Sequence, residues 1–102
     1  MKIFNLTDDY ELGKVGADFV LDLGVLPKGT DNTKRLRFTE VSAKDISFKI
    51  TCGCTKISNK IVVDENTIEI YISVVTSGIY VKTAEIKMNG KITLLKLKGE
   101  FK

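Results

Sequence analysis

Strict period-two alternation is the feature that most constrains the fold of this chain. Over Thr67–Val75 the aliphatic residues occupy every second position, and polar or aromatic residues stand between them. This pattern predicts a β-strand with one buried face and one exposed face. The aliphatic positions of the stretch are Ile68, Ile70, Ile72 and Val74. No helix-length window shows an apolar stripe of helical period, so the chain is expected to be all-β.

A long hairpin is predicted at the C-terminal end. Ile79–Met88 and Lys91–Phe101 both alternate, and Asn89-Gly90 lies between them. Both central residues of a type I′ turn need positive φ, which Asn and Gly adopt most readily. The residues predicted to face the core are Tyr80, Ala84, Ile86 and Met88 on the first strand and Leu95, Leu97 and Phe101 on the second.

Shorter strands are predicted upstream, separated by turn residues. They are Ala17–Leu23, Lys34–Thr39, Ile46–Thr51 and Lys60–Val63. About seven short antiparallel strands at this spacing are typical of an immunoglobulin-like β-sandwich. We therefore assign residues 17–102 to one such domain.

Residues 1–16 fit the strand repeat less well. Their apolar side chains suggest either an arm that packs on a neighbouring molecule or a first edge strand of the same sandwich, which is the slightly favoured reading. The candidate arm contacts are Ile3, Phe4, Leu6 and Tyr10.

Composition limits the chemistry open to the chain. The 102 residues include no His, no Trp, one Pro and two Cys. Catalysis by a Ser-His-Asp or Cys-His system requires an imidazole, and so do histidine-ligated zinc and proximal-His haem. We therefore expect no enzymatic activity, no cofactor and no metal.

The segment Cys52-Gly53-Cys54-Thr55 is the one motif with pointed chemistry. A zinc site needs four ligands, so two thiolates would have to be completed by a second copy of the chain. A thiol redox role is an alternative, since nearby lysines would lower a thiol pKa. The favoured interpretation is structural, with both cysteines acting as small apolar residues at a strand end and Gly53 supplying an unusual backbone angle.

Charge is unevenly distributed along the chain. Residues 1–33 carry three lysines against six acids, whereas residues 34–60 carry seven basic residues against two acids. An acidic front and a basic middle could mediate contacts between neighbouring copies or could simply be two solvated faces. The candidate partner surface consists of Lys34, Arg35, Arg37, Lys44, Lys49, Lys56 and Lys60. Aromatic stacking positions are lacking there, so we do not expect a nucleic-acid partner.

Targeting signals are not evident. The first apolar residues are interrupted by Asn5 and Asp8-Asp9, so no secretory signal is expected. No stretch approaches the roughly 20 apolar residues of a membrane helix. We expect a chain that is made in the cytoplasm and does not enter a membrane.

Several short motifs occur in the order seen in one known family. Besides the Cys-Gly-Cys-Thr segment, they are Asp22-Leu23-Gly24-Val25-Leu26 with Lys28-Gly29, Lys34–Phe38, Gly78 with Tyr80 and Lys82, Asn89, and Leu95 with Leu97, Gly99 and Glu100. Over residues 17–101 the chain thereby resembles the bacterial immunoglobulin-like domain family of unknown function marked by a Cys-Gly-Cys-Thr motif. That family is related to Hydin-type and major-sperm-protein domains. The resemblance implies the sandwich fold and no catalytic activity.

Small immunoglobulin-like domains commonly decorate bacteriophage particles, and this suggests the expected function. We predict a non-enzymatic auxiliary protein of a phage capsid or virion, assembled in the bacterial cytoplasm, which binds a major capsid protein or identical neighbouring copies. The alternatives are a free-standing cytoplasmic adaptor that binds another protein through an edge strand, and a small thiol redox protein that uses Cys52 and Cys54.

Overall fold

The structure, a computed structural model, describes residues 1–16, 18–51 and 53–102. It confirms an all-β sandwich, in which two sheets pack face to face. The strands are β1 (Ile3–Asn5), β2 (Tyr10–Glu11), β3 (Gly13–Val15), β4 (Asp18–Leu26), β5 (Asn32–Thr39), β6 (Ile46–Lys49), β7 (Thr55–Ile57), β8 (Ile61–Asp64), β9 (Thr67–Val74), β10 (Gly78–Met88) and β11 (Lys91–Phe101). A short 3₁₀ turn, Ala43–Asp45, precedes β6.

The strands form two sheets. Sheet A has the order β2-β1-β5-β9-β7, and β8 pairs with β9 along the same edge as β7. Sheet B has the order β3-β4-β11-β10-β6. Among the described residues no helix has the length and hydrophobicity needed to cross a membrane.

The core lies between the sheets and follows the predicted alternation. The four aliphatic residues of β9 are fully buried, as are Leu36 and Phe38 of β5. Ala84, Ile86, Leu95 and Leu97 fill the facing side from sheet B. Burial of this apolar area, at about 25 cal/mol per Å², is the main force that holds the sheets together.

The predicted hairpin is present. β10 and β11 pair from Gly78↔Phe101 to Met88↔Lys91, which leaves Asn89 and Gly90 as a two-residue loop. Their φ angles of 50° and 81° are the positive values that the type I′ turn requires.

One strand pair differs from the antiparallel arrangement predicted. β4 runs parallel to β11, with Leu21 opposite Leu97. The register shifts between Lys98↔Asp22 and Glu100↔Val25, so β4 contains a bulge there. Alternation cannot reveal strand direction, because parallel and antiparallel strands share the same period.

The prediction of about seven strands is also too low. β1, β2, β3 and β7 have two or three residues each, which is too short for a period of two to be visible in the sequence. β7 forms after the chain passes from sheet B to sheet A at the end of β6. β4 is longer than predicted, since it continues through the bulge to Leu26.

Residues 1–16 contribute β1, β2 and β3. β1 pairs with β5 through Ile3↔Phe38, and β3 pairs with β4 through Val15↔Asp18. The Asn5 side chain is fully buried and closes the β1–β2 turn, because its Oδ1 accepts hydrogen bonds from the backbone N–H groups of Thr7 and Asp8. The described N-terminal residues are thus hydrogen-bonded into both sheets.

Candidate functional site

The seven basic residues of the predicted partner surface lie in several places. Arg35 and Arg37 of β5 and Lys56 of β7 project from the outer face of sheet A. Lys49 lies opposite Glu85 on the outer face of sheet B. Lys44 is exposed in the 3₁₀ turn. The structure therefore brings together three of the seven.

The other two lysines make internal contacts. Lys34 forms an ion pair with Asp8 over 2.8 Å, and its side chain is only 12% exposed. Lys60, the residue before β8, donates hydrogen bonds from Nζ to the backbone oxygens of Ala43 and Ile46, which connects it to the 3₁₀ turn and to the start of β6. Both ammonium groups thus hold neighbouring segments together.

A buried carboxylate organises the two arginines. Glu69 projects from the outer face of β9, yet its side chain is only 1% exposed. Arg35 Nε donates to Glu69 Oε1 over 2.7 Å, and Arg37 Nε donates to Glu69 Oε2 over 2.8 Å. The Nη2 atoms also contact these same two oxygens. We call these three residues the Arg35–Glu69–Arg37 cluster.

The electrostatics of the cluster favour an ionised carboxylate. Burial alone would raise the pKa of Glu69, but the hydrogen bonds from Arg37 and Arg35 outweigh burial and hold its pKa below the usual value. Arg35 also lies over the Tyr71 ring, with 5.8 Å between the guanidinium carbon and the ring centroid. The cluster carries two positive charges and one negative charge.

Residues 53–55 of the Cys-Gly-Cys-Thr segment lie where the chain passes between the sheets. Cys52 lies outside the described residues. The Cys54 carbonyl accepts a hydrogen bond from the Val75 N–H over 2.9 Å, and Thr55 begins β7. The Thr55 hydroxyl is hydrogen-bonded to the buried Tyr80 hydroxyl, and burial raises the pKa of Tyr80 despite that bond. Thr55 thus connects the segment to β10 through the interior.

The candidate arm contacts differ in exposure. Ile3 is fully buried within this chain, and Phe4 and Leu6 are half-buried. Tyr10 is exposed, and its hydroxyl donates a 3.4 Å hydrogen bond to the Asp22 carbonyl. Tyr10 therefore packs near β4.

A second surface lies at the edge of sheet B. β6 pairs with β10 only from Glu85 to Met88. Among the described residues no strand pairs with the same edge of β10 over Gly78–Ala84. Unpaired backbone groups of an edge strand are available for hydrogen bonds to another chain.

Aliphatic side chains on the outer face adjoin this edge. Ile79 is 82% exposed and Val81 is 66% exposed, the former being among the most exposed large apolar residues of the described chain. Val25 of β4 lies in the same row as Ile79, with Glu100 of β11 between them. Together they line an open groove of about 460 Å³ that is flanked by Lys98.

The opposite edge of sheet B, formed by β4, is protected. β3 covers β4 only as far as Val20. Beyond Val20 the bulge interrupts the regular edge of β4. There the Gly24 N–H donates a hydrogen bond to Asp22 Oδ1 over 2.9 Å, and the Tyr10 hydroxyl donates one to the Asp22 carbonyl. Bulges and locally satisfied backbone groups are common ways to prevent pairing at an edge. We call the unprotected stretch Gly78–Ala84 the open edge of β10.

Sequence reasoning did not identify Glu69, Ile79 or Lys82 as site residues. Glu69 looks like an ordinary solvent-facing residue of an alternating strand, and only the pairing of β5 with β9 places it opposite Arg37. Lys82 stands at a core-facing position between the buried Tyr80 and Ala84 but is exposed. A lysine inside an alternating strand was the available signal for an edge.

Comparison with known proteins gives no family for the chain. No protein-family description matches the sequence, and no curated protein is significantly similar to it. The resemblance to the Cys-Gly-Cys-Thr family therefore stays a prediction from short motifs.

Proposed function

We propose that this protein is a non-enzymatic binding module that takes up an extended segment of another protein as an additional strand on the open edge of β10. The observation that carries the proposal is a coincidence on β10: over Gly78–Ala84 one edge has no pairing strand among the described residues, and Ile79 and Val81 are exposed there. In strand addition the main chain supplies affinity, and the alternate side chains supply specificity.

The edge also defines the kind of segment that fits. Ile79, Val81 and Val25 provide an apolar outer face, which suits aliphatic side chains at every second position of the incoming strand. Lys82 points toward the core side and is exposed there, so an acidic residue at the facing position would neutralise it. An identical copy of β10 would instead add a second lysine near the first, so Lys82 disfavours self-pairing.

The test uses a photo-crosslinking residue at position 79 and, as the matched control, at position 92. Ile92 is also well exposed, on the same face of sheet B but beside the hairpin turn. Crosslinks from position 79 and slower amide exchange over Gly78–Ala84 on binding support strand addition. Equal crosslinking from both positions, or unchanged exchange, contradicts it.

The partner predicted from the sequence is a shell protein of a bacteriophage. Identification of the crosslinked protein distinguishes the two versions of the proposal. A capsid or tail protein supports the virion role, and a protein with no place in a virion supports the alternative of a free-standing adaptor. In either version Ile79→Asp should weaken binding about tenfold or more, since it places a charge against the incoming apolar side chains, whereas Ile92→Asp should not.

A further inference from the structure

The Arg35–Glu69–Arg37 cluster contains hydrogen-bond donors that the fold does not use. Each guanidinium contacts Glu69 through its Nε and Nη2 atoms. Neither Nη1 atom donates a hydrogen bond to another of the described residues. The two arginine side chains are 44% and 41% exposed, so these remaining donors face solvent.

The arginines at this place are notable in the sequence as well. They are the only two arginines of the chain, and all of the other basic residues are lysines. A guanidinium presents a rigid planar set of donors that suits carboxylates, whereas an ammonium group acts as a point charge. Both arginines of the chain are therefore located beside the Glu69 carboxylate, where their planar donor groups form hydrogen bonds.

The cluster is fixed before any ligand arrives. Glu69 is buried, so withdrawal of either guanidinium would leave its charge poorly compensated, which is strongly unfavourable. Arg35 is further held over Tyr71, and the β5–β9 ladder fixes the separation of the two arginines. Donors held in place in this way lose little freedom on binding.

We propose that the Arg35–Glu69–Arg37 cluster is a second binding site of this protein, which takes the carboxylate of an acidic side chain from a protein partner. Glu69 gives one oxygen to each arginine, so the spacing of the two guanidinium groups matches a single carboxylate. A second carboxylate on the solvent side would accept hydrogen bonds from the remaining donors and would neutralise the remaining positive charge. Lys56, which lies opposite Ser73 on the same face, adds attraction for an acidic segment.

This site is independent of the open edge of β10. It lies on the outer face of sheet A, whereas the edge belongs to sheet B. Ile79→Asp should therefore leave the carboxylate site unchanged, and Arg37→Lys should leave strand addition unchanged. Failure of one proposal does not entail failure of the other.

The experiment follows the Nε–Hε signals of the two arginines by NMR, which no third arginine obscures. Hexaglutamate is the probe, hexaglutamine the uncharged control and inorganic phosphate the competing oxyanion. We expect hexaglutamate to shift both signals saturably, phosphate at equal concentration to shift them far less, and hexaglutamine to leave them unmoved. Unmoved signals with hexaglutamate, or equal shifts with phosphate or hexaglutamine, would overturn the assignment.

Two variants provide the control for non-specific attraction to a basic protein. Arg37→Lys keeps the charge and a partner for Glu69 but removes the planar donors, and we expect it to weaken hexaglutamate binding about tenfold. Lys96→Gln removes an exposed charge from sheet B, and binding should change less than about twofold. Equal weakening by both variants would show that only net charge matters and would overturn the proposal.

Discussion

Arg37 and Glu69 are direct cross-strand partners on β5 and β9, and the Arg37 Nε lies 2.8 Å from Glu69 Oε2. Glu69 is buried at this position although it belongs to the outer face of its sheet, and it is flanked by the side chains of Arg35 and Arg37 and by Ile61 of β8. A solvent-facing row of the sandwich therefore contains a charged group with the environment of an interior one. The stability of Glu69 at this position depends on the two arginines, and the proposed carboxylate binding would depend on them as well.

Arg37→Gln should destabilise the fold by about 1–3 kcal/mol, because buried Glu69 then keeps only one charged partner. The double variant Arg37→Gln/Glu69→Gln should recover part of this loss, since no buried charge remains. Urea denaturation of the single and double variants measures the coupling. Lys96→Gln, which removes an exposed ion pair with a 3.8 Å separation, is the control and should change stability little. A double variant as unstable as the sum of its singles would contradict this account.

Stability should fall as the pH decreases from about 5, and Glu69→Gln should reduce that fall. The pKa of Glu69 is lower in the folded protein than in the unfolded chain, so the unfolded chain binds protons first as the pH decreases. The stabilisation by Glu69 is fully present above the pKa that this residue has in the unfolded chain. It is lost as the pH falls through the lower pKa of Glu69 in the folded protein. Unfolding free energies at several pH values test this.

Asp8 contributes in the same direction to the acid response. The hydrogen bond from Lys34 is the main cause that lowers the pKa of Asp8 in the folded protein. The Glu69→Gln variant should therefore still lose some stability in acid, though less than the wild type. Addition of Asp8→Asn to that variant should remove this remaining loss of stability. Identical pH profiles for the wild type and Glu69→Gln would show that the cluster is not the source.

Tyr80→Phe should cost about 0.5–1.5 kcal/mol, because the buried Thr55 hydroxyl loses its strongest partner. The pair Tyr80→Phe/Thr55→Val removes both hydroxyl groups and should be more stable than Tyr80→Phe alone. Thermal unfolding compares the three proteins. A Tyr80→Phe variant as stable as the wild type would mean that the hydroxyl pair contributes nothing net.

Gly99→Ala should destabilise the sandwich by about 1–3 kcal/mol through overpacking at the β4 bulge. A Cβ at Gly99 would lie 2.9 Å from Leu23 Cβ and 3.3 Å from the Gly24 oxygen. Gly13→Ala is the matched control, since its Cβ meets nothing within 4 Å and its φ is not in the positive region. Calorimetry of both variants checks the difference, and equal melting temperatures would contradict the packing argument.

The alternation of apolar and polar residues predicted those strands that are long enough to show it. The β10–β11 hairpin, its Asn89-Gly90 turn and the buried face of β9 all follow from residues near one another in sequence. Gly24 and Gly99 belong to the short motifs of the sequence. The structure gives a physical reason for glycine there, because the bulge in β4 brings the two residues close together.

The sequence by itself determined the sandwich class, because its strands have one apolar face each and it predicts no helix that could cover them, so that the faces are buried against a second sheet. Only the tertiary structure decided which strands lie side by side. Sheet order placed Glu69 between two arginines that are distant in sequence and made β4 parallel to β11. It also left one edge of Gly78–Ala84 without a pairing strand among the described residues. These features depend on pairing between distant segments, and alternation carries no information about which strand lies next to which.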